Sequence, residues 1–95
     1  MQIELSTRFI VQFKEVLDFI AQNSIENALK FESDILGRIK DLDLMPYKYR
    51  KSVHFSNPNI RDFVFKGYVV PYLIDSANGK LVILGICKWN LWKNK

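Results

Sequence analysis

Cysteine is almost missing from this chain: a single thiol, Cys87, serves all 95 residues. An internal disulfide is excluded, and no His/Cys cluster surrounds that thiol with the spacing of a metal site. Cys87 lies in an apolar run and is expected as a small buried hydrophobe. Glycine and proline are scarce as well, with four and three residues. No linker of low complexity can be built from them, and no glycine-rich loop is present to cradle a phosphate, so nucleotide hydrolysis is not supported. No apolar run reaches the roughly 18 residues that cross a bilayer. The opening residues are polar and acidic rather than basic and then apolar, so no secretory signal is read and a soluble, cytoplasmic protein without a membrane partner is expected. No cofactor is implied.

The most informative shortage is acidic. Residues 46–95 carry nine basic side chains and only two acidic ones, whereas residues 1–45 carry five basic and eight acidic, which divides the net +4 into +7 and −3. Clustered Lys and Arg on a small soluble protein point to a polyanionic or acidic partner. What the chain does have is apolar and aromatic residues: 48% hydrophobic, with seven Phe, four Tyr and two Trp. That excludes general disorder and supplies one modest core, so residues 1–95 are read as a single domain.

Ile3 and Leu5 alternate with polar neighbours, a short strand. Ser6 or Thr7 can cap a helix from about Arg8, in which Phe9, Ile10, Phe13, Val16, Leu17 and Ile20 form one stripe. Asn23 and Ser24 break the pattern, with Glu26 placed for a capping box from Asn23. A second helix then runs to about Leu42, its face made by Ala28, Phe31, Ile35, Ile39 and Leu42. So short a connection forces an antiparallel helical hairpin, and Pro46 ends it. Residues 47–59 are irregular. Residues 60–66, 68–75 and 81–88 are β-rich, with a tight join at Gly67. Asn78 and Gly79 supply the positive-φ residues of the second hairpin. Pro71 cannot donate to a ladder, so a bulge or an unpaired position is expected there. The fold class is α+β, in the order β-α-α-β-β-β, with the helical hairpin packed on one face of an antiparallel sheet. The other face, and the chain after Lys88, are left for a partner.

The chain resembles the RelE/ParE superfamily of toxins from bacterial type II toxin–antitoxin pairs. The likeness is carried by Phe19-Ile20-Ala21, Asn27-Ala28 and Phe31, and the Leu42 to Pro46 exit. It continues through Arg50, Ile60-Arg61, the run Gly67-Tyr68-Val69-Val70-Pro71-Tyr72-Leu73-Ile74-Asp75, and Leu81-Val82-Ile83-Leu84-Gly85-Ile86. The resemblance implies growth inhibition, a role in plasmid stabilisation, and a cognate antitoxin whose amphipathic, acidic segment wraps the toxin. It leaves two targets. RelE-like members cut mRNA on the ribosome, whereas ParE-like members poison DNA gyrase. Nuclease members carry an arginine directly after the Gly-Tyr of the third strand, where this chain has Val69. They also keep a basic residue, histidine or tyrosine beyond the last strand, where this chain reads Lys88-Trp89-Asn90-Leu91-Trp92. The gyrase reading is therefore favoured over ribosome-dependent mRNA cleavage, with an inactive binding module of the same fold as a third class.

The target- or nucleic-acid-binding candidates are Lys48, Arg50, Lys51, Arg61, Lys66, Lys88, Trp89, Asn90 and Trp92. Lys48, Arg50 and Lys51 interleave with Tyr47 and Tyr49, a combination suited to phosphates and stacked bases, or else a solvated loop whose tyrosines are pinned to the core. Arg61 shares a strand side with Phe63 and Phe65, and either projects toward the target or holds Asp62 or Asp75. The two tryptophans either fold back onto the sheet or meet a partner. His54 is the one histidine, the side-chain type suited to proton transfer near neutral pH, and is the candidate for acid–base catalysis, with the nearby cations as its phosphate contacts.

Overall fold

The computed structural model describes residues 1–90. β1 (Gln2–Leu5) leads into α1 (Thr7–Ala21) and α2 (Ile25–Asp41), followed after an irregular stretch by β2 (Ile60–Phe65), β3 (Tyr68–Asp75), β4 (Lys80–Ile83) and the two-residue β5 (Cys87–Lys88). Ser6 caps α1 by accepting from the Phe9 amide, and Ser24 caps α2 by accepting from Asn27 at 3.0 Å. The second cap lies one residue later than the expected Asn23, which takes Glu26 out of the capping-box position. Phe9 and Phe13 are buried, with Val16, Leu17 and Ile20 packed against the core. Ile10 turns outward and is 54% exposed, so the stripe on α1 is narrower than its spacing suggests. The face predicted on α2 is buried throughout.

The sheet order is β1-β4-β3-β2, with β5 also paired to β3. The β2–β3 and β3–β4 pairs are antiparallel, but β1 lies parallel to β4, so the sheet is mixed rather than wholly antiparallel. The helical hairpin returns the chain to the far edge before β2 begins, and β1 meets β4 only through that long detour. Lys66 (φ 47°) and Gly67 (φ 83°) form a two-residue turn with both φ positive, the geometry that suits the strand twist. Between β3 and β4 only Gly79 is left-handed; Asn78 belongs instead to a 3₁₀ turn at Ser76–Asn78, tied to the Asp75 carboxylate.

The expected continuous last strand is broken at residues 84–86, and Pro71 explains the break. Its neighbour across β2 is Asp62, whose amide points away to the Arg50 carbonyl, so Pro71 faces the β4–β5 side, where it has a carbonyl but no N–H. Leu84 donates to that carbonyl at 2.9 Å, and the chain then leaves the ladder. The Ile86 amide is satisfied from α1, by Gln12 Oε1 at 3.0 Å. Gly85 sits against that same oxygen, so a side chain there would have to displace Gln12.

The helix-facing layer is Phe63, Phe65, Tyr68, Val70, Tyr72, Ile74, Leu81 and Ile83, closed over by α1 and α2. The opposite face is not left open as expected. Ile60, Asp62, Val69 and Pro71 are buried there, and residues 50–52 extend the sheet beside β2, with the Ser52 amide bonding the Ile60 carbonyl and Lys51 bridging to Arg61.

Candidate functional site

The irregular stretch after α2 is bound to the sheet at both ends. Tyr72, wholly buried, donates its hydroxyl to the Pro46 carbonyl at 2.6 Å. Burial pushes its phenol up to about 12, so it serves as a neutral tie rather than an acid. Tyr49 packs edge-on against Phe63 with centroids 5.1 Å apart. Farther along, the buried Asp62 carboxylate accepts from the Val53 amide and lies 3.7 Å from the Arg50 guanidinium. A buried carboxylate requires such partners, because an uncompensated charge there is strongly destabilising.

This anchoring sets out the cations in an order that the sequence hides. Lys66 and Arg38 both lie over the Phe65 ring, at 5.3 and 5.6 Å. Arg38 and Lys48 line one depression of about 320 Å³, walled by Leu42, Met45 and Tyr49. Lys48 lies 5.5 Å from the Tyr49 ring, and the Tyr49 carbonyl accepts from Arg61 at 3.1 Å. Arg61 lies 5.0 Å from the Tyr47 ring and is the bridge partner of Lys51. Arg50, beside Lys51, covers the Trp89 ring at 4.9 Å. These contacts gather around the outer edge of β2, which residues 50–52 pair, so the cations form a flank along that edge rather than a patch on a sheet face. Each ring holds a charged head within about 6 Å, a geometry worth roughly 0.5–1 kcal/mol where exposed. Such a head is partly ordered before any partner arrives. Arg38 was missed because the acidic first half averaged it away; only its neighbourhood in space reveals it.

The other candidates fall elsewhere. Arg61 donates to the Tyr49 carbonyl and so ties down the loop, and Arg50 lies within ion-pair distance of Asp62. Lys88 lies 4.5 Å from the Phe19 ring against α1, away from the β2 edge. Trp89 is half-buried beneath Arg50, its amide bonded to the Gly67 carbonyl at 2.8 Å, and Asn90 beside it is exposed. Trp92 lies outside the described residues. His54 is not among the flank cations. It lines a separate cavity, whose other ionisable lining groups among the described residues are Arg8 and the Cys87 thiol, rather than the lysines and arginines expected around it. Cys87 is half-buried at that cavity's wall, not sunk in the core. Val69 is fully buried and paired with both Val64 and Cys87. No group of three or more metal-ligating side chains occurs among the described residues, and no described helix is long and apolar enough to cross a membrane.

Residues 3–88 match the family model for the ParE toxin of the type II toxin–antitoxin system parDE. A solved structure, the chromosomal ParDE toxin–antitoxin system from P. aeruginosa, superimposes with a TM-score of 0.74 at 18% identity, covering 93% of this chain and 95% of that one. At that identity the likeness speaks for the fold. No curated protein matches the chain.

Proposed function

The chain belongs to the ParE toxin family of type II toxin–antitoxin systems, and from that premise we propose that it arrests growth in the cytoplasm by inhibiting DNA gyrase, without cutting nucleic acid. A cognate antitoxin neutralises it by laying an acidic, amphipathic segment along the β2 flank. The observation that carries the target reading is Val69. Where nuclease relatives resembling RelE keep an arginine, this chain has a fully buried valine in a paired strand. Cutting RNA without a metal needs cations around the phosphate together with a positioned acid and base. Here the flank cations rest on aromatic rings, and His54 lies in a different cavity.

The antitoxin reading rests on charge and shape. Arg38 and Lys48 line a depression that also takes in Asp41 and the exposed Leu44 and Met45, and Lys66 shares the Phe65 ring with Arg38. A disordered acidic segment that orders on binding gains steering from such cations and buried area from the apolar wall. One feature favours the alternative of ribosome-dependent mRNA cleavage: Arg50 over Trp89 keeps a guanidinium just past the last strand, where nuclease relatives also keep a basic group.

Induced expression without the antitoxin separates these readings. Growth arrest with loss of plasmid supercoiling and uncut mRNA is expected. Primer extension showing codon-positioned cuts, with supercoiling intact, reverses the target. Unimpaired growth removes the toxin activity altogether and leaves a binding module.

A further inference from the structure

The break between β4 and β5 opens a second cavity of about 630 Å³, bounded by the start of α1, residues 84–87 and the His54-Phe55 segment. The geometry points to a binding site for a small organic anion with an aromatic or branched apolar body, distinct from the β2 flank and independent of the gyrase reading. The volume falls in the range of about 300–1,000 Å³ typical of small-ligand pockets, which are apolar with a few convergent polar groups. Phe55, Pro71, Leu84 and Ile86 supply the apolar wall.

The polar groups decide the charge of the ligand. Ser6 Oγ is already committed, donating to the Leu84 carbonyl and accepting from Phe9, and Gln12 Oε1 accepts from Ile86. Beside His54 and the Cys87 thiol, the lining offers donor capacity: the Arg8 guanidinium, which forms no ion pair among the described residues, and the Gln12 amide nitrogen. No carboxylate of the described residues lines the cavity, so an entering anion meets no like charge from them. An arginine fork and an amide donor above an apolar floor suit a carboxylate at the mouth with its hydrocarbon inside.

The test is a backbone amide NMR titration of the full chain with 4-phenylbutyrate and with its neutral counterpart, 4-phenylbutan-1-ol. Saturable shifts are expected at Phe55, Gly85, Ile86 and Cys87, with the acid binding about ten-fold more tightly, the worth of a charge-assisted contact. Arg8→Gln, at an exposed position, should lower the acid's affinity to that of the alcohol and leave the alcohol unchanged. Phe55→Ala should weaken both. Equal affinity of acid and alcohol, no saturation at these amides, or shifts confined to exposed apolar positions such as Ile25, Leu29 and Leu44 would each overturn the site.

Discussion

Replacing Gly85 by alanine drives a methyl group to within 2.6 Å of Gln12 Oε1. That oxygen is the acceptor for the Ile86 amide at 3.0 Å, the bond that holds the chain where it leaves the sheet. The Gln12 side chain can swing away, and the amide is then left part-buried without its partner, at about 1–2 kcal/mol. Alanine restricts the unfolded chain and returns roughly 0.5 kcal/mol, so Gly85→Ala is expected to be destabilised by about 1 kcal/mol. In a domain of this size that lowers Tm by about 4–8 °C. Gln12→Ala alone should cost about 1 kcal/mol for the same lost bond. The informative variant is the double one. Once Gln12 has been truncated nothing obstructs the Gly85 methyl, so adding Gly85→Ala should be neutral or mildly stabilising, and the pair should couple by about 1 kcal/mol. Urea unfolding of all four proteins measures this. Costs that simply add, to within about 0.3 kcal/mol, would show that Gly85 and Gln12 do not share one constraint.

Tyr72→Phe removes the hydroxyl that reaches the Pro46 carbonyl, with an expected loss of about 1 kcal/mol on denaturation. The folded phenol is raised to about 12 from an ordinary value of 10; its contribution is complete below pH 10 and is lost as pH rises toward 12. The wild-type chain should therefore lose more stability than Tyr72→Phe between those values. Asp62→Ala removes the partner of the Val53 amide and of the half-exposed Arg50 and should cost about 1 kcal/mol, read by thermal unfolding, with the Arg50–Trp89 stack loosening as a change in tryptophan fluorescence. Reversing two exposed flank charges, Lys48→Glu with Lys66→Glu, should weaken antitoxin capture about ten-fold or more and flatten its dependence on salt while leaving Tm nearly unchanged, measured by titration calorimetry across ionic strengths.

The helical hairpin was legible because its cause is local. Phe31, Ile35 and Ile39 repeat at helical spacing, and Ser24 is a capping residue by chemistry. The hairpin turn at Lys66-Gly67 was legible for the same reason. Pro71 announced an irregularity, but not that its missing N–H would divide the last strand, since that depends on which neighbour faces its nitrogen. The parallel pairing of β1 with β4 joins residues nearly 80 apart, beyond any periodicity. The site was legible as a list of cations and not as a place. Their positions follow from which aromatic ring each head finds, and Phe65, Tyr49, Tyr47 and Trp89 gather them from four separate stretches of chain. His54 stood out by its pKa class and proved to line another cavity.

The decisive measurement is the conversion of relaxed plasmid to its supercoiled form by purified gyrase, with this chain added alone and then with its antitoxin. Loss of supercoiling that rises with toxin concentration, is restored by antitoxin, and leaves added mRNA on ribosomes uncut is the predicted result. Gyrase working at full rate while mRNA on ribosomes is cut would contradict it.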